Sequence, residues 1–140
     1  MEKLKLKHLA PYLPYGLKIN QYRDDLDINF QSELVSLSGD QLKVISERFP
    51  FTESLSYYEA KPILRPLSDL NNEIEESIIP IEYFEENYPT LDLHKQCELI
   101  IEDERWINHC DFILIQYLLE WHFDVFGLIE KGLAINMNEQ

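Results

Sequence analysis

Proline and glycine punctuate the front of this sequence so closely that no long helix fits there. Pro11, Pro14 and Gly16 stop a helix almost as soon as one could begin, because proline lacks an amide donor and clashes with the turn before it. Short β-favouring runs follow. Residues 16–22 read as a first strand. Leu26, Ile28 and Phe30 alternate with Asp27 and Asn29, the period of a half-buried strand, and Asp24-Asp25 makes the turn before them. Residues 33–37 and 42–46 read as two more strands, joined across Ser38-Gly39-Asp40, where Gly39 supplies the positive φ of a tight hairpin. In residues 55–67, Tyr57 and Tyr58 favour a strand while Pro62 and Pro66 each remove a ladder donor, which predicts an edge strand ending at Arg65.

The second half changes period. Ser68 or Asp69 can cap a short helix through Ser77, with Leu70, Ile74 and Ile78 on its apolar side. Pro80 suits the first position of a helix with Ile81 and Phe84 inward, stopped by Pro89. Thr90 can cap the next, where Leu93, Cys97, Ile100 and Ile101 follow the spacing of an apolar stripe. Asp111 suits the N-cap of the strongest helix, running to about His122, with Gln116, Glu120 and Asp124 as its one polar stripe. Gly127 and Gly132 then suggest a break and a C-cap. The expected architecture is α+β: an N-terminal antiparallel β-meander or small open barrel packed against C-terminal helices. One domain is expected over residues 1–140, mainly β to about residue 67 and mainly α thereafter.

Charge narrows the class of partner. Twelve basic residues against 26 acidic ones give −14, a poor match to a phosphate backbone, so direct nucleic-acid binding is not expected. Residues 1–23 carry Lys3, Lys5, Lys7, Lys18 and Arg23 against Glu2, whereas residues 69–104 carry twelve acids against Lys95. That acidic stretch fits either a solvated helical face or a surface for a basic partner. No apolar signal segment precedes Pro11, and Gln116, Glu120, His122 and Asp124 interrupt the most apolar run, so neither secretion nor membrane insertion is expected. Cys97 and Cys110 are too few for a disulfide framework and suit reduced thiols in a cytoplasm.

Candidate chemistry is thin. His94, Cys97, His109 and Cys110 are zinc-type ligands, but adjacent His109 and Cys110 cannot easily face one ion, so no metal or other cofactor is expected. Glu120, His122 and Asp124 place a base near an imidazole, yet residues two apart lie on opposite sides of a helix. Nucleophile-elbow and phosphate-cradle motifs do not occur in the sequence. Tyr12 and Tyr15 flank Pro14 and form either a contact patch or a cap over one end of the β-layer.

Three stretches, 6–19 (LKHLAPYLPYGLKI), 61–70 (KPILRPLSDL) and 118–136 (LLEWHFDVFGLIEKGLAIN), cover about a third of the chain. Together they resemble a family of small uncharacterised proteins encoded in phages and prophage-like elements of Bacteroides and related bacteria. The resemblance implies a mobile-element gene expressed in a bacterial cytoplasm and assigns no active residues. The expected function is a non-enzymatic protein-interaction module, with Tyr12, Tyr15, Glu73, Glu76, Glu85 and Glu86 as candidate contacts. Two alternatives stand beside it. One is an acidic mimic of DNA that blocks a DNA-binding host protein; the other is a small enzyme using His122, Asp124, Glu120 and Arg65.

Overall fold

A computed structural model describes residues 3–23, 28–46 and 51–139. An α+β fold results: among the described residues an open six-stranded sheet takes five strands from the N-terminal half and a short sixth from the C-terminal end, and the longer helices come from the C-terminal half. The strands are β1 (Lys18–Arg23), β2 (Ile28–Leu37), β3 (Gln41–Ile45), β4 (Glu53–Ser56), β5 (Ala60–Leu64) and β6 (Ile135–Asn136), in the order β4-β3-β2-β1-β5-β6. The pairings from β4 through β5 are antiparallel, and β6 returns parallel to β5. The helices are α1 (Leu6–Leu9), α2 (Pro80–Asn87), α3 (Leu93–Glu102) and α4 (Phe112–Glu120), with 3-10 turns between them.

Several elements depart from the sequence expectation for identifiable reasons. The strands expected before and after residue 32 are one strand, β2, bulged between Leu34 and Ser36. Its polar middle is internal: Ser32 Oγ donates to Gln21 Oε1 (2.7 Å), and both residues are buried. The expected turn at Asp24-Asp25, with Leu26 and Asp27, lies outside the described residues. Between β2 and β3 Gly39 does not take the positive φ expected of it. Ser38 closes that turn instead, its amide donating to Gln41 O (2.8 Å) and its hydroxyl reaching the same oxygen (3.1 Å). The single edge strand expected over 55–65 is two strands: β4 forms the edge, and β5 lies inside between β1 and β6, with Pro62 opposite Ile19.

Two clusters of apolar side chains hold these layers. The first, with Leu9, Tyr12, Leu17, Ile19, Leu42 and Leu128, lies against the sheet. The second, with Leu70, Phe84, Leu93, Ile100, Leu114 and Phe123, lies among the helices. Each fully buried Leu, Ile or Phe contributes about 1.5–3 kcal/mol before chain entropy is counted. Pro80 does begin α2, and Phe84 does face inward. The helix expected from Ser68 or Asp69 through Ser77 forms only two 3-10 turns, Leu67–Asn71 and Glu75–Ser77. Asp69 caps nothing there, and accepts from the side chains of Asn72 (3.1 Å) and Asn138 (2.8 Å). Asp92, not Thr90, precedes α3, and Ile101 turns outward. Among the described residues no helix is long and apolar enough to cross a membrane.

Candidate functional site

Three of the four residues suspected of catalysis, Arg65, His122 and Asp124, converge in a clasp that ties the N-terminal turn to the segment after α4, while Glu120 does not join them. α4 ends at Glu120, and His122 takes a left-handed backbone conformation (φ 61°) that reverses the chain. Residues 122–124 then run beside Arg65 as an extension of β5: Arg65 N donates to His122 O (2.8 Å) and Asp124 N to Arg65 O (2.9 Å). His122 Nε2 donates to Tyr15 O (2.6 Å), which fixes the proton on that nitrogen and removes it as a base. The Tyr12 hydroxyl donates to Phe123 O and accepts from Val125 N (3.2 Å). Arg65 is buried over the Phe123 ring, 5.8 Å from its centroid, with Nε on Trp121 O (3.2 Å) and Nη2 on Glu75 Oε1 (3.2 Å).

Asp124 does not continue a polar stripe. It is buried, and its two carboxylate oxygens accept from Leu128 N (2.8 Å) and Ile129 N (2.9 Å), capping the following turn. Burial raises its carboxyl above the ordinary range, and those amides pull the other way. A depression beside it is lined by Pro66 and Leu67 and by Glu104, Asp124 and Glu130. Partial desolvation and the neighbouring acids raise Glu104 too. The lining contains carboxylates without a nucleophile, and Glu120 lies outside it, exposed on α4. Each polar group of the clasp described above is committed to main chain or to a neighbour, the arrangement of a structural fastening.

Among the described residues no group of three or more His, Cys, Asp and Glu side chains is placed to share a metal ion. Cys97 and Cys110 are unbridged thiols. Cys97 is buried, which pushes its thiol up to about 12, while Cys110 donates to Trp106 O (3.3 Å).

The candidate contact residues divide. Tyr12 is fully buried in the first core and offers no surface, so of the two fates weighed for it packing prevails. Tyr15 is half-buried, with its carbonyl held by His122. Glu73, Glu85 and Glu86 are exposed; the side chain of Glu76 lies outside the described residues. A more pronounced surface feature lies elsewhere. Of the twelve exposed large apolar side chains among the described residues, half fall within residues 91–113: Leu91, Leu99, Ile101, Trp106, Phe112 and Ile113. Gln96 pins α3 to the start of α4, its amide donating to Asp111 Oδ2 (3.0 Å) and accepting from Asp111 N (3.0 Å). Leu99 stands one turn from Gln96 and Phe112 next to Asp111, so the two share this junction. Trp106 packs on His109 at 5.9 Å beside a shallow depression shared with Asp103 and Arg105. Glu98, Glu102, Glu104 and Asp111, in the same stretch, are exposed.

Phe112 carried a readable signal. It stands four residues before Gln116 and eight before Glu120, on the polar side of its own helix. At 73% exposure it is a large ring held in water. Comparison with protein-family models, curated proteins and solved structures returned no match.

Proposed function

We propose that the chain is a non-enzymatic protein-interaction module of a phage- or prophage-borne gene, working in a bacterial cytoplasm. The observation that carries this reading is the run of exposed apolar side chains over α3, the 3-10 turn after it and the start of α4, Phe112 the most exposed of them, with exposed acids in the same stretch. Stable interfaces combine buried aromatic anchors with a polar rim, and Trp is among the residues that most often dominate binding energy. The partner should present an apolar patch with basic residues at its edge, since Glu98, Glu102 and Asp111 would otherwise face like charge. The resemblance of the three stretches supports the mobile-element setting.

The test is affinity purification of the tagged protein from its bacterial host, with and without phage induction, beside a Trp106→Ala/Phe112→Ser variant. Both side chains are exposed, so the variant keeps its circular dichroism and thermal midpoint. A protein captured by the parent in moderate salt and lost by the variant supports the reading. Capture that the variant retains, or none above background, refutes it. A nucleic-acid-binding protein that dissociates in moderate salt and ignores the variant would instead favour the acidic mimic.

A further inference from the structure

A further concavity, built from different elements, has a lining richer in cations than in acids. Between the segment before α1, the turn joining β4 to β5, and Gly132-Leu133 lies a pocket of about 510 Å3, within the usual range of about 300–1,000 Å3 for small-molecule sites. Its floor is apolar: Leu4 and Ala60 are buried, and Leu133 is half-buried beside them. The Tyr57 hydroxyl donates to Ser38 O (2.7 Å), which fixes that ring in the wall. Tyr58 stands exposed at the mouth.

The rim is cationic. Lys3, Lys5 and Lys61 line it, all exposed, with Asp40 as the one acid among the lining residues. A chain with 26 acids and 12 bases thus places three of those bases around one apolar pocket. Lys3 is also held in place, its Nζ donating to Tyr58 Oη (2.8 Å) and lying 5.1 Å from that ring's centroid. A positive mouth over an apolar floor matches a ligand with an apolar body and one anionic end; a neutral apolar molecule would use only half of the site.

We propose that this pocket binds a small apolar carboxylate of the medium-chain fatty-acid class, with its chain against Leu4, Ala60 and Leu133 and its carboxylate among Lys3, Lys5 and Lys61. The carboxylate displaces water from ammonium groups that already face the opening. The aliphatic chain covers apolar surface that is otherwise wet. Nothing in this depends on the α3–α4 junction or on its protein partner.

The experiment is an amide-detected NMR titration of the full chain with decanoate and, separately, with decanol, repeated on a Lys3→Glu/Lys61→Glu variant. Saturable shifts at Leu4, Ala60 and Leu133 are expected with decanoate in the parent protein. Decanol should bind there at least about tenfold more weakly, and the variant should lose at least about tenfold in decanoate affinity, since attractions become repulsions. Three outcomes would each overturn the proposal: no saturable shift at those amides, equal affinity for decanoate and decanol, or unchanged decanoate affinity in the variant. The decanoate and decanol comparison uses the parent protein alone, so it decides even if the variant fails to fold.

Discussion

Replacing Tyr12 with phenylalanine removes one oxygen from the middle of the molecule and tests whether the clasp holds the two halves together. That oxygen donates to Phe123 O and accepts from Val125 N, linking positions more than a hundred residues apart. Val125 N also reaches Phe123 O directly (3.0 Å), a tight three-residue turn that survives the substitution and leaves neither group wholly unpaired. Two hydrogen bonds at about 1 kcal/mol each then set the loss near 2 kcal/mol. For a chain of this size that lowers the thermal midpoint by about 6 °C. The ring itself keeps its place, so the dependence on denaturant should have an unchanged slope. Urea unfolding followed by tryptophan fluorescence measures both quantities, and Trp121 lies within the clasp. Tyr15→Phe is the control: Tyr15 contributes its backbone carbonyl to His122, so its variant should stay within about 0.5 kcal/mol of the parent. A Tyr12→Phe loss as small as the control's would refute the reasoning.

Three further outcomes follow from the geometry. Arg65→Ala should cost about 2–3 kcal/mol in urea unfolding, because buried carbonyl and ring partners lose their cation, whereas Glu75→Ala should cost less than about 1 kcal/mol, since that carboxylate is largely in water; equal costs would contradict the geometry. Gly16 sits at φ 64°, a left-handed conformation that strains any side chain although an added Cβ meets only ordinary contacts, so Gly16→Ala should lose about 1–2 kcal/mol, while Gly39→Ala, with ordinary φ and nothing within 4 Å, should be neutral or slightly stabilising in the same assay. The carboxyls of Asp124 and Glu104 are both raised in the folded state, so folding favours their protonated forms and their contribution to stability falls as pH rises from the ordinary carboxylate range to their raised values. The thermal midpoint of Glu104→Gln, measured against the parent from about pH 4 to about pH 7, should therefore gain with pH, and a flat or reversed difference would sink the assignment.

What could be read from the sequence was what depends on neighbours along the chain. Pro80 set the start of α2, and the strand read at residues 42–46 is β3, with Leu42 and Val44 inward. The α+β division followed from the change of period midway. The misreadings arose where a polar residue serves a distant partner. Ser32 looked like a gap between two strands because its hydroxyl meets Gln21 on β1. Asp69 looked like a helix cap, yet it bonds Asn138, 69 positions away. Asp124 looked like the third member of a helical stripe, but the helix stops at Glu120 and His122 reverses the chain, so the phase of the stripe no longer applies. The clasp itself runs largely through backbone carbonyls and amides, which carry no side-chain periodicity. The three stretches 6–19, 61–70 and 118–136 nonetheless meet there, at Tyr12, Arg65 and residues 122–125.

The late position of the clasp in the chain also sets an order of events during synthesis. Leu128 and Ala134 belong to the core beneath the sheet, Phe123 to the core among the helices, and β6 pairs with β5 only at the end. When Leu64 has been made, 72 residues remain to be added through Asn136. At about 5–20 residues per second that is roughly 4–15 s during which the first core lacks Leu128 and Ala134, although Leu4, Leu9 and Tyr12 are already made. Synonymous codon changes that slow translation between β5 and β6 should therefore lower the yield of soluble protein, read by gel of the soluble fraction, without altering one residue of the finished protein.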